Sequence, residues 1–173
     1  MLYPHNEVRE QWVLSIKDSP DYKPIIAMVN NSKLLVEATI EGDEQAVAAA
    51  LTTSHGFVTS PLSYNNEQSL QSAIGLAYFY ATAKYTVIRE LPTGKGYADL
   101  VLLPYVPDTP AMVIELKNSE RATAATALQQ IRDKQYFEAL GHYHGDLLLV
   151  GVSYDPKSKE HTCRIEKLAP FGR

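Results

Sequence analysis

The chain is poor in cysteine and has no long apolar run, and both absences narrow what it can be. Cys163 is the only cysteine among 173 residues, which excludes a disulfide framework and a cysteine-based zinc site. No apolar stretch approaches the roughly 20 residues that a membrane-spanning helix needs. The N-terminus also lacks the basic and then apolar pattern of a signal peptide. With 45% hydrophobic residues, the chain is expected to be a globular protein of the cytoplasm.

Positive charge is also scarce, since the formal net charge is -4. This argues against a strong, non-specific nucleic-acid binder, which is usually basic. It does not exclude an enzyme that acts on nucleic acid, because a bound metal ion and a small basic patch supply positive charge locally. A Gly-x-x-x-x-Gly-Lys-Ser/Thr loop is missing, which makes nucleotide hydrolysis by this chain a weak hypothesis. The half of the chain that carries the motifs described below also contains the basic residues Lys84, Arg89, Lys95, Lys117, Arg121, Arg132 and Lys134.

Apolar spacing predicts that the first part of the chain is helical. A long helix capped by Asn65 or Asn66 is then predicted to run to about Lys84. Its apolar face includes Leu70, Ile74, Tyr78 and Ala81. The predicted lead-in has a helix over about 8–20, a second one after Pro24 that breaks at Gly42-Asp43 and resumes over 44–51, and a connecting loop over 52–61.

The second part of the chain alternates between strands and helices. A short connection joins the second and third predicted strands, which are therefore expected to be antiparallel. A helix capped by Ser119 and running to about Leu140 links the third strand to the fourth, which favours a parallel pair. The sequence thus predicts an α/β fold with a mixed central sheet flanked by helices, preceded by a helical lead-in over residues 1–58. The predicted strands are 85–91, 98–103, 111–117, 147–154 and 161–168, with a turn over 92–96 between the first two.

Acidic residues interrupt two of the strands that otherwise look buried. Asp99 follows Gly96-Tyr97-Ala98, and Glu115 lies in Ile114-Glu115-Leu116-Lys117. Buried carboxylates are costly unless they are paired, metal-bound or catalytic. Adjacent strands lie about 4.8 Å apart, and two ionised carboxylates at that range repel each other unless a cation sits between them. Magnesium suits such a gap, because it takes oxygen ligands from one or two carboxylates, waters and a substrate phosphate.

This pattern is the layout of a metal-dependent phosphodiesterase. Glu115 and Lys117 point to the same face of their strand because side chains alternate. Asp99, Glu115 and the peptide carbonyl of Leu116 are the candidate metal ligands. Lys117 is expected to orient the attacking water or to stabilise the charge of the transition state. The alternative is an Asp99 that caps a turn and a Glu-x-Lys pair that is merely solvated; the complete pattern favours the functional interpretation.

Two further polar residues are candidates for the same site. Glu67 continues the apolar stripe of its helix toward the sheet and is a candidate metal ligand; the alternative is a first-turn glutamate that complements the helix dipole. Gln130 lies in the helix after the Glu-x-Lys strand and is a candidate for holding a phosphate, although amphipathic surface helices often carry such residues. The pair His142-x-His144 has too few partners to form a convincing zinc site. Tyrosines can stack on bases, but most of those in this chain have core spacing.

Taken together, these motifs resemble the PD-(D/E)XK nuclease superfamily. More narrowly, the chain resembles the nuclease-like domain at the C-terminus of bacterial proteins that begin with an AAA-ATPase-like domain. The resemblance covers nearly all of the chain. It rests on 3–9 (Tyr-Pro-His-Asn-Glu-Val-Arg), 96–99, 114–117, Ala127-Leu128-Gln129-Gln130-Ile131 with Lys134 and Tyr136, and Gly151-Val152-Ser153-Tyr154.

The resemblance implies a restriction-endonuclease-like core over residues 59–173. It implies Asp99, Glu115 and Lys117 as the catalytic set, with Glu67 and Gln130 in auxiliary positions. It also implies Mg2+ or Mn2+ as cofactor, nucleic acid as substrate (DNA rather than RNA) and an AAA-ATPase-like domain as a possible partner; no membrane is expected, and the oligomeric state stays open.

The sequence departs from the family pattern at two places. Ala98 replaces the proline that names the superfamily, and Lys134 stands where some relatives carry the tyrosine of a Gln-x-x-x-Tyr motif. The acidic net charge of -4 and the lack of an ATPase-like half in this sequence motivate the alternative hypothesis, a catalytically silent nuclease-like module that binds nucleic acid or a protein partner.

Overall fold

The computed structural model describes residues 23–58, 67–93, 96–118, 122–136, 140 and 143–168. The predicted helix over 8–20, the caps at Asn65, Asn66 and Ser119, and the centre of the turn over 92–96 lie outside these ranges. The helices are α1 (Lys23–Glu41), α2 (Glu44–Val58), α3 (Glu67–Ala77) and α4 (Ala124–Asp133), and a short 3-10 helix spans Phe79–Ala83. The strands are β1 (Tyr85–Thr93), β2 (Gly96–Pro104), β3 (Ala111–Asn118), β4 (Leu147–Asp155) and β5 (Glu160–Leu168).

The five described strands form one mixed sheet in the order β1-β2-β3-β4-β5. β3 and β4 are parallel, and the other neighbouring strands are antiparallel. The predicted antiparallel pair β2–β3 and parallel pair β3–β4 are therefore confirmed. The reason lies in the connections, since six residues separate β2 from β3 whereas α4 carries the chain from β3 to β4.

Helices cover both faces of the sheet and create two apolar clusters. On one face, α1, α2 and α3 pack their buried residues, such as Leu35, Leu51 and Ile74, against β2, β3 and β4. On the other face, α4 contributes Ile131 to a second cluster with Val113. The lead-in helices therefore share a core with the sheet. None of the helices in the described ranges is both long and apolar enough to cross a bilayer.

Three helix boundaries differ from those predicted. The first difference is the end of α2: a loop was predicted over 52–61, but α2 continues through Val58. The hydroxyls of Thr52 and Thr53 donate to carbonyls of the preceding turn. Ser54 is buried and accepts a hydrogen bond from Asn31 Nδ2 at 2.7 Å. Polar residues that suggest a loop are thus satisfied within the helix and by its neighbour.

The other two differences concern α3 and α4. α3 ends at Ala77 and not near Lys84, because the chain tightens into the 3-10 helix, where the Tyr80 amide donates to the Ser32 hydroxyl. The helix predicted over about 119–140 is the shorter α4, which Thr123 caps through a reciprocal hydrogen-bond pair with Thr126. Its end at Asp133 is followed by Gln135, whose φ of 51° cannot continue a helix.

Candidate active site

The register of β2 and β3 brings Asp99 and Glu115 together. Leu100 pairs with Ile114 in this antiparallel ladder. Asp99 and Glu115 are the next residues along the two strands, and Asp99 Oδ2 accepts a hydrogen bond from the Leu116 amide. Only 2% of Glu115 is exposed, so two acidic residues meet where one of them has almost no contact with water.

The sheet is irregular beside Asp99. The pairing of β1 with β2 runs on either side of Glu90, which has a φ of 50°. Ala98 and Val101 belong to the same core cluster although they lie three residues apart. Regular alternation would place residues two or four apart on one face. Such local breaks in a strand re-aim a side chain, and here the residue concerned is Asp99.

Both carboxylate oxygens of Asp99 accept hydrogen bonds. Gln71 Nε2 donates to Oδ1 at 2.5 Å, and the backbone amide of Leu116 donates to Oδ2 at 2.8 Å. The Asp99 side chain is therefore fixed from the α3 side and by the neighbouring strand. Gln71 was not predicted as a site residue; the available signal was its spacing of four residues from Glu67 on the same helix. Glu67 begins α3, and its side chain lies outside the described residues.

One of the two carboxylate oxygens of Glu115 is surrounded by hydrogen-bond donors. Lys117 Nζ lies 3.2 Å from Oε1, and Gln130 Nε2 donates to the same atom. The other oxygen, Oε2, is buried and has no hydrogen-bond partner within the described ranges. The structure thus brings together Asp99, Glu115, Lys117 and Gln130, and it leaves one buried acceptor unsatisfied at their centre.

Burial and neighbouring charges shift the pKa of Glu115. Burial disfavours the charged form, and the negative charge of Asp99 acts in the same direction. Together they raise the pKa of Glu115 to about 7, although Lys117 and Lys134 oppose the shift. A cation between the two acids would relieve this repulsion.

The residues fit a divalent cation of the magnesium type. The unsatisfied Oε2 of Glu115 and the neighbouring carboxylate of Asp99 offer hard oxygen ligands. No group of three or more His, Cys, Asp or Glu side chains suited to a metal occurs among the residues that the structure describes. Mg2+ often binds through one or two carboxylates and takes its other ligands from water and substrate phosphate, so two carboxylates are sufficient.

An open cavity of about 570 Å³ gives access to these groups. At its edge, Gly96 has a φ of 148°, and a Cβ there would lie 3.4 Å from Lys134 Nζ and 3.6 Å from Tyr136 Oη. These are ordinary van der Waals distances, so the positive φ, and not a lack of space, disfavours a side chain at Gly96. The lining residues are Gln71, Glu90, Gly96, Tyr97, Asp99, Glu115, Lys117, Gln130, Lys134 and Tyr136.

A tyrosine contacts Gln130 in spite of the missing Gln-x-x-x-Tyr motif. Gln130 Nε2 donates to the hydroxyl of Tyr136 at 3.1 Å. Because α4 ends at Asp133 and the chain turns at Gln135, the buried Tyr136 returns to the glutamine from two positions further along. Lys134, at the position of the motif tyrosine, instead places its Nζ 5.8 Å from the centre of the Tyr136 ring.

The sequence matches a family model described as the PD-(D/E)XK nuclease superfamily over residues 65–163. This range holds α3, the 3-10 helix, β1 to β4, α4 and the first part of β5. It therefore includes every residue that lines the cavity. A comparison with curated proteins finds no match.

Proposed function

Since the chain belongs to the PD-(D/E)XK nuclease superfamily, we propose that it is a metal-dependent phosphodiesterase that hydrolyses a nucleic-acid backbone, DNA rather than RNA. One observation carries the proposal: the buried, unsatisfied Oε2 of Glu115 lies in a site that also holds Asp99 and Lys117. An unsatisfied buried acceptor is costly for stability. A function that requires a cation at this point explains why the chain retains it.

The proposed roles follow from the contacts of each side chain. Asp99 and Glu115 hold the cation, Mg2+ or Mn2+, with the Leu116 carbonyl and Glu67 as further proposed ligands. When bound, such an ion lowers the pKa of water and stabilises charge on a phosphate. Gln71 and Gln130 fix the two carboxylates, so that they are preorganised before substrate arrives.

Lys117 is the proposed partner of the attacking water. Its ammonium group lies against Glu115 Oε1 and lines the open cavity, so it faces both the acids and solvent. A fixed positive charge there orients the water and stabilises the negative charge that develops on the phosphate.

The remaining proposals concern the setting of this activity. We propose that residues 1–58 form a helical lead-in and residues 59–173 the nuclease-like domain. The described helices of the lead-in are packed into the same core as the sheet. The cytoplasm is the proposed location, and an AAA-ATPase-like domain is a proposed partner.

The test is a cleavage assay with Mg2+ or Mn2+ on supercoiled plasmid, linear duplex, single-stranded DNA and RNA. The parent protein is expected to cleave DNA, and Asp99→Asn and Lys117→Ala are expected to lower the rate by at least about a hundredfold, in the range of losses for a transition-state donor. Lys157→Ala, which removes an exposed lysine from the β4–β5 turn, is the matched control.

The outcomes separate this proposal from the alternative of a silent module. Equal cleavage by Lys117→Ala and the parent would show that the site is assigned wrongly. If no protein cleaves any substrate and calorimetry detects no Mg2+ or Mn2+ binding, the fold serves for binding alone.

A further inference from the structure

Tyr97 is the exposed aromatic residue of the cavity wall. Its exposed fraction is 65%, whereas Tyr136 in the same wall is fully buried. The Tyr97 backbone pairs with Pro92 in the β1–β2 ladder, but its side chain makes no hydrogen bond or ring contact with any other residue that the structure describes. Tyr105, which is similarly exposed, does have a local role, because its hydroxyl donates to the Thr82 carbonyl at 2.6 Å. The Tyr97 ring thus has no structural task among the described residues.

Resting on the phosphodiesterase function proposed above, we propose that Tyr97 is a stacking platform for an unpaired base and that Lys134 binds the phosphate beside it. The substrate is then a nucleic acid that is single-stranded at the point of cleavage. An aromatic ring combined with a nearby cation is the combination by which proteins bind single strands without reading their sequence.

The spacing between Tyr97 and the two carboxylates suits a base and the phosphate next to it. Tyr97 precedes Asp99 by two residues, which span about 6.6 Å along a strand. A base on Tyr97 therefore lies next to the phosphate held at the two carboxylates. On the other side, Lys134 Nζ would meet a Cβ on Gly96 at 3.4 Å, which places its ammonium beside the residue that precedes Tyr97.

An unpaired base is required because a duplex offers no free base face. Within a double helix each base is covered on both sides, and stacking on a protein ring requires the base to leave the duplex first.

The net charge of the chain also favours a single strand over a duplex as substrate. A single strand has a lower density of condensed counterions than a duplex, so a protein of net charge -4, with Glu90 on the cavity wall, repels it less.

The test measures binding separately from cleavage. All proteins carry Lys117→Ala, so that substrates survive in Mg2+. Fluorescence anisotropy gives the Kd for a labelled single strand, for the same strand with abasic sites, and for a matched duplex. Tyr97→Ala is compared with Tyr97→Phe, which keeps the ring, and with Tyr105→Ala, which removes a similarly exposed ring just beyond the far end of β2.

Tyr97→Ala is expected to weaken binding of the normal single strand by about tenfold, in line with the loss of one stacked base. Tyr97→Phe and Tyr105→Ala should leave that Kd unchanged. The abasic strand should already bind weakly and should not respond to Tyr97→Ala. Lys134→Ala should weaken both single strands alike and reduce the slope of log K against log salt by about 0.7.

The inference is overturned if Tyr97→Ala leaves the single-strand Kd unchanged, or if it weakens duplex, normal and abasic strands equally. Failure of the proposed function looks different. A parent that never cleaves but binds single strands through Tyr97 refutes the phosphodiesterase alone. A parent that cleaves with no dependence on Tyr97 refutes the platform alone.

Discussion

At the scale of single residues, the site depends on two glutamines that each hold a different acid. Gln71 donates to Asp99 and Gln130 donates to Glu115. Asp99, Glu115, Lys117 and Gln130 could be found from the sequence, because strand alternation and helix position indicate them. The contacts of Gln71 and Tyr136 were not predicted, because they join separate elements and the one of Tyr136 depends on how the chain turns after α4.

Gln71→Leu tests whether the hydrogen bond to Asp99 matters for the metal. Loss of this donor leaves Asp99 Oδ1 without its side-chain partner, and we expect Mg2+ affinity to fall by about tenfold or more. Titration calorimetry measures the change. Gln129→Leu is the matched control, because Gln129 is exposed on α4 and donates to Asp133 Oδ1 instead. Equal Mg2+ affinity in Gln71→Leu and the parent would contradict the proposed positioning role.

Gly96→Ala tests the backbone conformation at the start of β2, beside Lys134 and Tyr136. The positive φ makes a side chain unfavourable there, so we expect a loss of about 1 kcal/mol in the free energy of unfolding. Cleavage should fall as well. Gly42→Ala shares a positive φ but has open space around it. In urea denaturation, Gly42→Ala should lose a similar free energy of unfolding, but it should keep full cleavage activity. A loss of cleavage in both variants would indicate a global effect on the fold.

At the scale of elements, α4 rests directly on β4 at Gly151. A Cβ at this glycine would collide with the carbonyl oxygen of Ala124 and lie 2.7 Å from the amide of Leu128. Because these are backbone atoms, the whole helix must move, and Gln130 moves with it. We expect Gly151→Ala to cost about 1–3 kcal/mol of unfolding free energy and to lower cleavage.

Gly56→Ala is the matched control for this change. Gly56 lies within α2, and nothing stands within 4 Å of a Cβ there. Alanine favours a helix over glycine by about 1 kcal/mol, so this variant should be neutral or slightly more stable in urea denaturation. A Gly151→Ala protein as stable as the parent would show that the helix can adjust without cost.

Strands were easier to predict than helix ends in this chain. Apolar runs bounded by Pro and Gly located all five strands, and the connections gave the directions of the pairs β2–β3 and β3–β4. The ends of α2, α3 and α4 depend on tertiary partners such as Ser32 and Asn31, which a local pattern cannot reveal. The same limit applies to Thr123, which caps α4 where Ser119 was expected.

At the scale of the whole molecule, His161 makes stability depend on pH. It lies on β5 facing α2 and is 5% exposed, and Thr52 Oγ1 of α2 lies 3.2 Å from its Nδ1. Burial and the nearby His55 lower its pKa to about 4. The unfolded chain takes up this proton near the normal value of 6.5, so the unfolded state binds more protons between these values, and stability falls with falling pH.

This linkage predicts a loss of about 2 kcal/mol between pH 8 and pH 5 from His161 alone. Urea denaturation of the parent and of His161→Gln at the two pH values measures it. The difference between their pH slopes isolates His161, because Glu115 and the other titrating groups are common to both proteins. An equally steep slope in His161→Gln would contradict the assignment.

Magnesium should stabilise the folded protein as a whole. A ligand that binds only the native state adds roughly 2.7 kcal/mol at a hundred times its dissociation constant, which appears as a higher melting temperature. Glu115→Gln should abolish most of this increase and keep the metal-free fold. Glu160→Gln, which alters an exposed acid at the start of β5, should keep it; an equal increase in all three proteins would contradict the metal site.

The two glutamines reach the acids from different helical layers, and this arrangement has a consequence for biosynthesis. α3 can dock once β2 and β3 have paired, whereas α4 rests on β4 at Gly151 as well as on β3. Full support for Gln130 therefore requires translation beyond β4, which ends at Asp155. A nascent chain that has formed only β1 to β3 thus holds its two acids in an unfinished site.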